Sequence, residues 1–183
     1  MTTAAQYENK IKSFQWDDLQ LLWNNIEARH TPEWDSGKAF EYMILRAFEL
    51  DGAEVKWPYE AKLWGEEVVE QIDGAIYYSG LSCLVESKDL VDNVDVVPMA
   101  KLRNQLLRRP ASTIGVVFSR KGFTNPAIRL SYFFFPQTIL LWNGIEIKYA
   151  LEKKRICELL ILKYRWCAEH GLPDYDVRVG DIP

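Results

Sequence analysis

Asp73, Glu86 and Lys88 are the residues of this sequence whose types and spacing could do chemistry together. The apolar runs 68–78 and 81–87 flank Ser79-Gly80, a pair that reads as a tight hairpin turn. With those two residues as the loop, Asp73 faces Glu86 across the strands, their Cβ atoms about 4.5–5.5 Å apart. Lys88 lies two residues beyond Glu86, so its side chain leaves the same face. The other face, Val68, Ile72, Ile76, Leu81, Cys83 and Val85, reads as core. Opposed carboxylates repel by about 3 kcal/mol at about 5 Å and an effective dielectric of about 20. A divalent cation resolves that conflict: Asp73 and Glu86 suit Mg²⁺, with Mn²⁺ as a substitute, because Mg²⁺ takes one or two carboxylates and fills its shell with water and phosphate oxygens. Such a metal acidifies a bound water and offsets charge on a phosphate, while Lys88 would hold the attacking water. The same three residues could equally form an exposed salt-bridge triad, which contributes little. A one-residue slip of the register would scatter them.

The elements that must position these residues follow from periodicity. Apolar residues at three- and four-residue steps predict a helix over 13–28, and Phe40, Met43, Ile44, Ala47 and Phe48 a second over about 35–50, with Thr31-Pro32-Glu33 as a helix start and Gly52 as the stop. A short strand over 53–57 precedes the hairpin. A helix over 97–109 ends at Pro110, a buried strand spans 113–118, a short helix 125–134 and a strand 138–142. Residues 148–169 read as one long helix ended by Gly171. A hairpin followed by a helical crossover into another strand implies a mixed sheet with helices on its faces. No internal repeat or long linker is present, and one domain is expected: a helical extension over 1–34, a core over 35–142 and a C-terminal helix and tail over 143–183.

Four stretches together resemble a known family. Gln71-Ile72-Asp73-Gly74 followed by Val85-Glu86-Ser87-Lys88 resembles the D…(D/E)xK motif of the PD-(D/E)XK nuclease superfamily. Ile114–Ser119 with Gly122–Ala127 is similar to the strand and turn of Mrr-type restriction endonuclease domains, and Gly37-Lys38-Ala39-Phe40-Glu41 to the start of their first core helix. The resemblance spans residues 36–142 and implies a restriction-endonuclease-like three-layer α/β/α core with a mixed sheet in α-β-β-β-α-β order. It implies a Mg²⁺-dependent endodeoxyribonuclease of restriction or defence type, with Asp73 and Glu86 as metal ligands, Lys88 as the catalytic lysine and Glu41 completing the site. Glu41 borders the buried stripe of its helix, which is compatible with that role. Gln105 resembles a glutamine that related nucleases carry. Ile72 replaces the proline of the superfamily name, and Glu86 stands where Mrr-type domains often have Gln.

Charge bears on the partner. Lys and Arg number 22 against 26 Asp and Glu, a net −4, with 48 % apolar and 26 % charged residues, which is ordinary globular usage. Yet residues 96–145 contain no Asp or Glu while carrying Lys101, Arg103, Arg108, Arg109, Arg120, Lys121 and Arg129. That segment can attract a polyanion, and Lys101, Arg103, Gln105, Arg108, Arg109, Arg120 and Lys121 are the expected nucleic-acid contacts, DNA being the expected partner. Asp89, Asp92 and Asp95 read as a solvated loop, and Tyr132-Phe133-Phe134-Phe135 as core or partner surface. Trp57, Tyr59 and Trp64, in the loop before the catalytic strand, either contact nucleic acid or cap the sheet edge. No recognition module is evident, so specificity would come from a homodimer or a partner subunit. A non-cleaving nucleic-acid-binding or interaction subunit, and an RNA-directed nuclease, are the alternatives. The stretch 130–142 is cut by Pro136 and is too short for a membrane span, no secretory signal is expected, and Cys83, Cys157 and Cys167 lack CxxC spacing. A reducing cytoplasm is the expected setting.

Overall fold

The computed structural model describes residues 3–63, 65 and 67–180. Three helices come first: α1 (Ala4–Lys12), α2 (Trp16–Glu27) and α3 (Lys38–Leu50). Then follow β1 (Glu54–Lys56), β2 (Tyr59–Leu63), β3 (Glu67–Ile72), β4 (Gly74–Tyr78) and β5 (Leu81–Lys88). The rest is α4 (Val97–Leu106), β6 (Thr113–Ser119), α5 (Asn125–Ser131), β7 (Ile139–Trp142), α6 (Gly144–Lys153), α7 (Ile156–His170) and α8 (Val177–Gly180).

Five strands form one sheet in the order β1-β4-β5-β6-β7, antiparallel from β1 to β5 and parallel from β5 to β7. Ser79 (φ 49°) and Gly80 (φ 84°) both sit in the left-handed region, so the hairpin closes on a two-residue turn and pairs Tyr78 with Leu81 and Gly74 with Val85. That is the register expected from the sequence. One face of the sheet packs Ile76, Cys83, Val85, Val116 and Phe118 against Phe40, Ile44 and Phe48 of α3 and residues of α2, α6 and α7. The other packs Ala75, Leu84, Val117 and Leu141 against Met99, Leu102 and Leu106 of α4 and Ala127 of α5. The result is a three-layer α/β/α fold whose order α3-β1-β4-β5-α4-β6 reproduces α-β-β-β-α-β. Among the described residues no helix is long and apolar enough to cross a membrane.

Four local expectations are corrected. The strand expected over 68–78 breaks at Asp73. Its first half, β3, leaves the sheet and pairs with β2 in a separate two-stranded ribbon that carries a bulge at Ala61/Lys62. Val68 on this ribbon is 43 % exposed rather than core, and Ile72 joins the cluster beneath α4 instead of the face of Ile76. Tyr59, expected in a loop, lies on β2. Thr31-Pro32 makes turns rather than a helix start: the chain enters α3 through Gly37, whose left-handed φ of 78° reverses it just before Lys38. The helix expected over 148–169 is two, because Lys154 adopts φ 57° and ends α6. Asn143 starts α6 by accepting N–H bonds from Ile145 and Glu146. The N-terminus, unassigned from the sequence, forms α1 behind a Thr3/Gln6 capping box.

Candidate active site

The break at Asp73 is what opens the site. There β3 and β4 diverge, and the Asp73 carboxylate is held at the fork by an N–H bond from Ser87 to Oδ2 (2.8 Å). One register step beyond Gly74–Val85 lies Glu86, 1 % exposed and flanked by two ammonium groups. Lys88 Nζ stands 2.5 Å from Glu86 Oε1, and Lys101 Nζ, reaching down from α4, stands 3.0 Å from Oε2. Glu41, in the first turn of α3, is buried with Lys38 Nζ 2.7 and 2.9 Å from its oxygens. Sheet, fork and two helices on opposite faces thus bring all four expected catalytic residues, Asp73, Glu86, Lys88 and Glu41, into one electrostatic neighbourhood.

Their pKa values record that neighbourhood. Burial, then the Glu86 charge, pushes Asp73 up against the opposing pull of the Ser87 amide, Lys88 and Lys101. Burial, then Asp73, raises Glu41 to about 7, with Lys38 and Lys88 opposing. Burial works to lower Lys88, but Glu86, Asp73 and Glu41 outweigh it and hold the ammonium above its ordinary range. Burial and mutual repulsion thus raise Asp73 and Glu41 even with lysines beside them.

A prediction follows for stability. Glu41 keeps its proton up to about 7 when folded against 4.5 when unfolded. Between those values the folded chain binds more protons, so stability falls as pH rises, by about 3 kcal/mol across the window. In EDTA the melting temperature should drop between pH 5 and pH 8, and Glu41→Gln should flatten that slope. Parallel slopes in the two proteins would count against the raised carboxylate.

Does a dication fit? Among the described residues, no three His, Cys, Asp or Glu side chains form a ready-made metal cage. Mg²⁺ does not need one: it uses one or two carboxylates and keeps several waters. Asp73 and Glu86 supply that pair. Ser87, whose N–H already holds Asp73, keeps its Oγ buried without a hydrogen-bond partner. The donor set fits Mg²⁺, with Glu41 as a further carboxylate at the rim.

The residues expected to contact nucleic acid divide. Lys101 is 44 % exposed at the site, Lys121 is exposed near the C-terminal end of β6, and Arg103 lays its guanidinium over the Phe134 ring. Arg108 and Arg109 leave α4 to pair with Glu70 of β3. Gln105 is buried, its Nε2 donating to the Gln71 carbonyl (3.3 Å). Arg120 departs from its expected role: it is an internal strut, donating from Nε to Asp89 (2.6 Å), from Nη1 to Glu27 (3.0 Å) and from Nη2 to the Leu90 carbonyl (2.6 Å). Arg29 also donates to Asp89 (2.7 Å), so this charge cluster fastens the residue after Lys88 to the end of α2. Asp89 is thus structural rather than solvated, and Asp95 accepts the Val97 N–H at the start of α4. Trp57 stacks on Tyr42 of α3 at 5.7 Å, Tyr59 packs beneath α4, and Trp64 lies outside the described residues. Phe134 is core, while Phe133 is 78 % exposed.

Sequence reasoning missed Lys38 and Glu70. Lys38 was legible as an i,i+3 partner of Glu41. Glu70 was not, because its pairing depends on the ribbon folding against α4.

No protein-family model and no curated protein matches this chain. Two solved structures have a similar backbone. One, described as a protein of unknown function, AF1548, is 19 % identical, with 72 % of this chain and 77 % of that one covered and a TM-score of 0.49. The other is the MspJI restriction endonuclease in complex with a 27-mer oligonucleotide, 20 % identical, with 76 % of this chain but 31 % of that one covered and a TM-score of 0.43.

Proposed function

We propose that this protein is a Mg²⁺-dependent nuclease that hydrolyses phosphodiester bonds in DNA. The observation that carries this reading is the convergence of Glu41, Asp73, Glu86 and Lys88 at the fork of the sheet, three carboxylates drawn together beside the Lys88 ammonium. Mg²⁺ held by Asp73 and Glu86 would supply an acidified water and neutralise charge on the phosphate. The chain's own residues do the rest. The Ser87 N–H fixes Asp73 so that both carboxylates keep their places without reorganisation. Lys88 donates from Nζ to the attacking water and stabilises charge that grows on the phosphate oxygens. Glu41, matched in pKa to neutral pH, accepts and returns a proton at its carboxylate. Lys101, Arg103 and Lys121 meet the backbone phosphates, each neutralised phosphate adding about 0.9 to the salt dependence on duplex DNA.

A second reading is favoured by one observation: both oxygens of Glu86 hold an ammonium, as in a nuclease fold that binds without cutting. Incubating the purified chain with plasmid, single-stranded DNA and RNA, in Mg²⁺, Mn²⁺ or EDTA, decides between them. DNA should be cut in either metal and not in EDTA, and Asp73→Asn should lose about 10³ in rate, the size expected for a group acting on the transition state. Cleavage in EDTA, or a fully active Asp73→Asn, overturns the nuclease reading. Binding in every metal without cleavage selects the second. RNA as the cleaved polymer reassigns the substrate.

A further inference from the structure

Charges around the fork balance: Glu41, Asp73 and Glu86 against Lys38, Lys88 and Lys101. A balanced set has no standing excess to draw a dication. Glu86 must therefore give up a partner when one binds. Its two lysines are not equivalent. Lys88 sits two residues away on the same strand, 27 % exposed, and feels Asp73 and Glu41 as well. Lys101 comes from α4, is 44 % exposed, and spans both oxygens of Glu86 at 3.0 and 3.3 Å. A flexible, solvent-edged ammonium at the longer distance is the one that turns away at little cost.

We propose that Lys101 is an exchangeable counter-ion: it holds Glu86 while no metal is bound, releases Glu86 to an arriving dication, and then pairs with a phosphate of the bound nucleic acid. This rests on the nuclease reading and adds to it an order of events, metal before full grip on the polymer. The surroundings of Lys101 favour a phosphate as its second partner. No acidic residue occurs on α4. With a dication added to the balanced set, the site gains two positive charges, which suit an anionic phosphate together with an attacking hydroxide. Metal and nucleic acid then strengthen each other's binding.

The test uses the full chain without nucleic acid, with Mn²⁺ affinity read by electron paramagnetic resonance. Lys101→Met, and Lys101→Gln as a second variant, should bind Mn²⁺ about tenfold more tightly than the parent, because a competitor for Glu86 is gone. Lys148→Met, an exposed lysine of α6, should leave that affinity unchanged. Cleavage at saturating Mn²⁺ should fall about tenfold in both Lys101 variants, opposite in sense to the metal affinity. Unchanged or weaker Mn²⁺ binding in both variants, with a parent that binds and cuts, overturns the exchange and leaves the nuclease reading intact. Tighter Mn²⁺ binding with no cleavage by any protein upholds the exchange at Glu86 and overturns the nuclease reading. No Mn²⁺ binding by any of them overturns both.

Discussion

Replacing Lys88 by alanine is expected to lower metal-dependent DNA cleavage by about 10³, the upper range for removing one donor aimed at developing charge. The size follows from where the ammonium stands. Nζ is 2.5 Å from Glu86 Oε1, partly shielded from water, and held above its ordinary pKa by Glu86, Asp73 and Glu41. In the metal-free protein it is therefore charged at neutral pH. Folding should suffer far less than catalysis, because Lys101 still neutralises Glu86 in the variant. Initial rates on plasmid, with the melting temperature measured alongside, make the comparison. A Lys88→Ala protein that melts like the parent and cuts within tenfold of it removes Lys88 from the chemistry.

The largest effect on stability is expected far from the fork. Lys163 of α7 is wholly buried, its ammonium donating to the carbonyls of Leu141 and Tyr175 (2.6 Å each) and standing 2.8 Å from Glu146 Oε1. Glu146 in turn accepts N–H bonds from Asn143 and Val177. The pair ties β7, α6, α7 and the C-terminal segment together. Lys163→Met keeps the length of the side chain but strands a carboxylate in the interior, which costs about 3–5 kcal/mol in urea unfolding. Burial already raises Glu146 with its partner present. Without the ammonium the carboxyl should rise further, so the variant loses stability as pH climbs from 5 to 8. The double variant Lys163→Met/Glu146→Leu should be more stable than the sum of its single variants implies, since no charge is left unpaired. A single variant within 1 kcal/mol of the parent, about the range of an exposed pair, would show that this pair is not holding the layers.

Much of the site was legible before any coordinates. The Ser79-Gly80 turn set the hairpin register as far as Gly74 and Val85, and the period of two along β5 put Lys88 on Glu86's side. The stripe of α3 placed Glu41 at its margin, and the acid-free segment marked α4 as the basic helix. These are local regularities, governed by backbone geometry and solvent contrast over a few residues.

The tertiary structure alone decided the rest, because it turns on partners distant in sequence. Periodicity joined residues 68–78 into one strand, but the ribbon of β2 and β3 competes for Glu67–Ile72 and breaks the strand at Asp73. A basic tally counted Arg120 with the phosphate contacts, whereas Glu27 and Asp89 claim its guanidinium inside the protein. Lys154 looked like one more helical residue, yet its left-handed backbone divides α6 from α7. A pattern along the chain says which side chains a segment can offer. Which charge each one meets is a matter of burial and distance between elements, and that exists only once the layers have closed.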